Sequence, residues 1–183
     1  DAELLATWQL TDASVALANP LSAELGVMRT RLLPGLTAAL ARNTARQQAR
    51  VRMFELGRSF AASADAPIET RRIAAVACGD AHPAQWGVPT RKLDFHDIKG
   101  DLESLAALSG ADLEYRASTE PFAHPGRSAE MYRDDVCIGW MGQLHPRVQQ
   151  AMGVDAEVYA FEIELDALLT RPLPRAVALS RYP

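Results

Sequence analysis

The sequence predicts an α+β domain, a mainly antiparallel sheet flanked by helices packed on it. Two observations carry this reading. Two stretches, 51–79 and 127–144, each read as a pair of strands joined by a short connection, the mark of antiparallel hairpins. Runs of strands are separated by stretches whose apolar residues recur at helical spacing, most clearly over 94–110.

Taken in order, residues 1–10 predict a short helix around Leu4, Leu5 and Trp8, and 15–20 a brief strand stopped by Pro20. Leu33, Leu36 and Leu40 recur at helical spacing, and Pro34 suits a first turn, so a helix is expected over 34–46. Val51, Met53 and Glu55 alternate with Arg52, Phe54 and Leu56 in a strand that meets solvent on one side. The small residues that follow form a turn, and Ile73 to Cys78 is an apolar strand that returns along the first. Pro83, Gly87 and Pro89 mark a loop in which Trp86 is expected to be a packing anchor.

Asp94 with Asp97 three residues later, then Ile98, Leu102, Leu105 and Leu108, then Gly110, predict a capped helix with both ends marked. Residues 111–118 read as a strand, followed by a loop and a hairpin turning at 133–136, where Asp135 lacks the easy positive φ of glycine. Over 139–169 a strand, a helix start, a second strand and a second helix start follow without a linker. Val158, Ala160, Ile163 and Leu165 mix with Glu157, Glu162 and Glu164 like a half-buried strand, and Asp166 is placed to cap the last helix.

A chain of 183 residues is long enough for one core hiding roughly 70% of the extended surface, so a single domain over 1–183 is expected. Hydrophobic content of 48% and charged content of 23% argue against disorder, and no apolar run reaches membrane-spanning length. The first residue is not methionine and the end is Pro-rich, which suggests a fragment truncated at both ends, with 170–183 beginning a linker to a following domain. Cys78 and Cys137 lie in apolar strands as small buried thiols, which fits a reducing cytoplasm. Net charge is −4, yet Arg42, Arg46, Arg50, Arg52 and Arg58 cluster with only Glu55 between them. They read as a solvated helix face followed by an exposed strand face, with RNA contact as the alternative. His82, His96, His124 and His145 are too dispersed for a metal site, and neither a Gly-x-Ser-x-Gly elbow nor a phosphate-binding glycine loop is present.

Several motifs, in order, give a more specific reading. They are Asn19-Pro20 through Met28-Arg29-Thr30 to Pro34-Gly35; Phe54-Glu55-x-Gly57-Arg58; Asp94-Phe95-x-Asp97-x-Lys99-Gly100; His124-Pro125-Gly126-Arg127-Ser128-Ala129; and His145-Pro146, followed by Ala160-Phe161. This series resembles the phenylalanyl-tRNA synthetase family, specifically the catalytic-like module of the bacterial β subunit. In the catalytic α subunit of that family, Ala-Phe leads into Gly-x-Gly-x-x-Arg, which holds ATP. Here the corresponding positions are Glu162, Glu164 and Ala167, and Ala61 replaces an arginine that grips the α-phosphate, followed by Ala62 and Ser63. The resemblance implies a class II aminoacyl-tRNA synthetase-like core with no catalytic, cofactor or metal residue of its own. Glu162 and Glu164 would stand where the polyanion lies, Arg58 would be a structural ion-pair donor, and His124 to Arg127 would fix the hairpin entrance. It implies an enzyme of two α and two β subunits that uses ATP and Mg2+ to charge tRNA with phenylalanine. The α subunit would be the direct partner, tRNA would be contacted by the holoenzyme, and some partner surface would be left exposed here. The alternatives are a free-standing ATP-binding ligase of class II type and an RNA-binding module built on the Arg42–Arg58 cluster.

Overall fold

A computed structural model describes residues 1–11, 14–22 and 25–169. The elements in chain order are α1 (Ala2–Trp8), α2 (Leu33–Thr44), β1 (Val51–Ala61), β2 (Ile68–Cys78), α3 (Phe95–Ser109), β3 (Glu114–Ala117), β4 (Ala123–Arg133), β5 (Val136–Leu144), α4 (Pro146–Ala151), β6 (Val158–Glu164) and α5 (Leu165–Leu169). The strands form one six-stranded sheet in the order β1-β2-β6-β5-β4-β3, and every neighbouring pair is antiparallel. Both predicted hairpins are present, and their second strands are joined through β6.

Strand alternation divides the side chains between two cores. Val76, Trp140, Val158 and Ala160 pack with Trp8, Leu33, Leu36 and Leu40 beneath α1 and α2. On the opposite face Ile73, Met141, Phe161 and Ile163 pack with Ile98 and Leu102 of α3. Because β6 is central and covered on both sides, its first six residues are all buried, so the half-buried strand expected there is corrected. Asp166 also changes role. α5 begins at Leu165, two residues before the start that an Asp166 cap implies, which puts Asp166 inside the first turn and opposite Arg71, its ion-pair partner.

Four other expectations are revised. Residues 15–20 form no strand, only an isolated bridge between Ala16 and Val27. Trp86 is fully exposed, because neither core extends to the loop that carries it. Cys137 is exposed at the start of β5, where the hairpin runs past the core, whereas Cys78 is buried as expected. In α3 the buried stripe is Ile98, Leu102, Ala106 and Ser109, and Leu108 points away at 76% exposure. The turn at 133–136 is closed by two aspartates, Asp134 (φ 50°) and Asp135 (φ 62°), both in the left-handed region that a type I′ connection needs.

Candidate functional site

The motifs converge on two places, one on each face of the sheet. The first is the start of α2. The residues before it, Arg29 to Leu32, run beside β1, where the Phe60 amide donates to the Arg29 carbonyl at 2.8 Å. Arg29 donates through Nε to the Arg58 carbonyl at 2.7 Å and pairs with Glu55. Gly57 makes this crossing possible: a Cβ there would stand 2.5 Å from the Arg29 guanidinium and 3.0 Å from Leu32. Met28 and Thr30 are half-buried, Pro34 is buried, and Asn19, Pro20 and Gly35 are exposed.

α2 has no side chain of its own to cap it, and Pro34 supplies no amide. The cap comes from Glu162 of β6. Its Oε2 accepts the Leu32 amide at 2.9 Å and the Leu33 amide at 3.0 Å. This carboxylate is completely buried, and Arg72 of β2 lies 3.6 Å from its other oxygen. Oε1 makes no hydrogen bond among the described residues. Burial pushes the carboxyl above the ordinary range, while Arg31, Arg72 and the two amides pull the other way. Glu162 therefore stands on no open surface: it faces the start of α2 and is sealed beneath it. Glu164, half-exposed, pairs with Arg72 at 3.0 Å. Ala61 ends β1, and the Ala167 carbonyl in α5 accepts from Arg133. None of these four positions carries a cationic side chain.

The second place is a cleft of about 650 Å³ on the α3 side. Lys92, Asp94, His96, Arg127, Glu157 and Tyr159 are among its lining residues. Here two motifs distant in sequence meet. Asp94 and Asp97 close the start of α3 on themselves: Asp94 accepts from the His96 and Asp97 amides, and Asp97 accepts from the Asp94 amide. Arg91 holds the Asp97 carboxyl down to about 2. Across the cleft, Arg127 donates to Gln143 and Glu157, each at 3.0 Å. His124 accepts the Gly126 amide at 3.1 Å, within β4 rather than in a preceding loop, and Pro125 and Gly126 are exposed. Gly142, opposite this irregular part of β4, has φ 146°, and a Cβ on it would stand 2.5 Å from the Arg127 carbonyl. Lys99 pairs with Glu103 and lies over the Tyr115 ring, while Gly100 is exposed. His145 caps α4 by accepting the Arg147 amide, with Pro146 as the first helical residue.

The remaining candidate residues are tied into the framework. Arg58 pairs with Glu69 across the β1–β2 hairpin, and Phe54 is exposed. Arg50 donates to the carbonyls of Asp80 and Ala81, and Arg52 pairs with Asp101. Of the five clustered arginines, Arg42 and Arg46 alone have no side-chain hydrogen bond or ion pair among the described residues. No group of three or more His, Cys, Asp or Glu side chains among these residues is arranged to hold a metal, and no described helix is long and apolar enough to cross a membrane. Sequence reasoning missed the Glu162 cap, the Arg72 contact and the Gln143 support of Arg127, since each pairs residues far apart in the chain.

Comparison with known proteins agrees with the motif series. Residues 1–165 match the phenylalanyl tRNA synthetase beta chain CLM domain. The whole chain is 63% identical over 185 residues to the phenylalanine–tRNA ligase beta subunit of Xanthomonas campestris pv. campestris (strain 8004), covering 23% of that protein. Identity to the same subunit of Xanthomonas axonopodis pv. citri is 62% and to that of Xylella fastidiosa (strain Temecula1) 60%, each over 186 residues covering all of this chain and 24% of the relative. The chain thus spans about a quarter of the length of the curated relatives it matches. It belongs to the phenylalanyl-tRNA synthetase beta chain CLM domain family.

Proposed function

We propose that this chain is a structural, non-catalytic module of a phenylalanyl-tRNA synthetase β subunit, a single domain with a class II synthetase-like core. In this reading it supports the assembly of two α and two β subunits that charges tRNA with phenylalanine at the expense of ATP, with magnesium. The α subunit carries the chemistry and is the direct partner, and tRNA is contacted elsewhere in the assembly.

The observation that carries the reading is Glu162. In the family's catalytic pattern this position is a glycine that lets ATP approach the strand. Here a carboxylate at that position is spent on two backbone amides of α2 and is out of reach of any ligand. Restoring Ala167→Arg leaves that arrangement in place, so it is not expected to create a nucleotide site.

Titration calorimetry with ATP and magnesium tests this. Neither the chain nor its Ala167→Arg variant should show saturable binding, and the tetramer should hold two ATP, one per α subunit. Micromolar binding by the chain itself, or four ATP per tetramer, would overturn the scaffold reading in favour of a ligase site.

A further inference from the structure

Among the described residues α3 lies over β5 and β6, while the β1–β2 end of the same face is bordered only by the flank of α3 and by α5. Strand register places Phe54 beside Ala75 and Leu56 beside Ile73 on that face. Phe54 is 70% exposed and Leu56 59%, high values for large apolar side chains on a sheet. Between them and the flank of α3 runs a groove of about 270 Å³, lined by Phe54, Ile73, Ala75, Phe161, Ile98 and Leu105 among others. The Arg52–Asp101 ion pair ties β1 to α3 along the groove. α5 packs against β2 and α3, and its Asp166 pairs with Arg71, two residues before Ile73.

We propose that this groove is an intramolecular docking site: in the full-length subunit it receives an apolar segment from the part of the polypeptide C-terminal to this module. The proposal rests on the reading of the chain as one module of a longer subunit. Three observations favour this occupant. The matched relatives carry more than three quarters of their length outside the span of this chain. α5, the last described element, packs against β2 and α3 and so flanks the groove. The groove is small, about 270 Å³, whereas separate chains bury roughly 800 Å² per partner in a stable interface. A tethered segment needs far less, because the tether supplies an effective concentration on the order of millimolar. The occupant should present aliphatic or aromatic side chains without a charge at the centre, since Arg52 and Asp101 already neutralise each other.

Cysteine labelling in the full-length β subunit tests this, in a background where Cys137, exposed here, and any cysteine outside this span that reacts with maleimide are replaced by serine. Phe54→Cys should react with a maleimide at least about tenfold more slowly than Trp86→Cys, whose side chain position is fully exposed. Adding Leu105→Asp, which puts a charge in the groove wall, should restore the fast rate with the circular dichroism spectrum unchanged. Equal rates at both cysteines would overturn the proposal. Protection of Phe54→Cys that appears only on adding the α subunit would assign the groove to that partner instead. Protection that rises with β-subunit concentration would assign it to a second copy, and protection that needs ATP and magnesium would overturn the scaffold reading as well.

Discussion

α2 and α3 both pack a helix onto the sheet, one on each face, but their first turns are held in opposite ways. α3 is started by its own neighbours: Asp94 and Asp97 cap each other's amides within four residues, and Arg91 braces Asp97 from three residues upstream of Asp94. α2 is started by Glu162, about 130 residues away along the chain. The start of α3 can therefore form before the sheet does, whereas that of α2 is completed only when β6 is in place. A buried charge that serves a helix end in this way couples two elements that sequence proximity leaves independent.

The difference can be broken most sharply at its distant end. Glu162→Ala leaves two amides without their buried acceptor and removes the carboxylate 3.6 Å from Arg72, and should cost about 3 kcal/mol in urea unfolding of the chain. The local cap is worth less. Asp94→Ala should cost about 1 kcal/mol in the same measurement, with the exchange of the first amides of α3 accelerated and those of α2 unchanged. An equal or larger loss for Asp94→Ala would mean that the local box, not the buried carboxylate, is the main support.

Acid and base should separate the two carboxylates, since their shifts have opposite sign. The folded-state value of Asp97 is depressed to about 2, so its contribution is present above the ordinary carboxylate value and lost as pH falls toward 2. Burial raises that of Glu162, so its protonated form is favoured by folding, and this contribution declines as pH rises through the raised value. Glu162→Gln keeps an acceptor for both amides and removes the ionisation. Its unfolding free energy relative to wild type should therefore improve as pH rises above the ordinary carboxylate range. A difference that stays flat there would show that Glu162 keeps an ordinary carboxyl value. The smallest effect concerns the local part of α2 alone. Gly35 lies in its first turn, is exposed, and a Cβ added there meets nothing within 4 Å. Gly35→Ala should stabilise the chain by about 0.5–1 kcal/mol in thermal unfolding.

Much of the fold was legible because its signals are short-range. The Asp94 to Gly110 helix carried both of its end signals in sequence and was placed to within a residue. The alternation over 51–61 located β1, and both hairpins followed from strands only a turn apart. The misses occurred where burial was decided by something distant. Trp86 looked like an anchor because tryptophan usually is one, yet no described element covers it and it is fully exposed. The acidic residues of β6 suggested an open face, but acidity marks exposure only when no buried partner exists, and the amides of α2 are such partners. In the candidate site the motif residues themselves were identified, while the contacts that explain Glu162 and Arg127 were not.

By itself the sequence determined the α+β class, the hairpins, the self-capped α3 and the family to which the chain belongs. All of these depend on residue spacing within a turn, a strand or a motif, which is local information. Only the tertiary structure decided that β6 joins the two hairpins at the centre of the sheet, that Glu162 completes α2, and that Phe54 and Leu56 at one end of the α3 face stay exposed. Each of these depends on which surfaces remain after the others have packed, and no spacing along the chain records that.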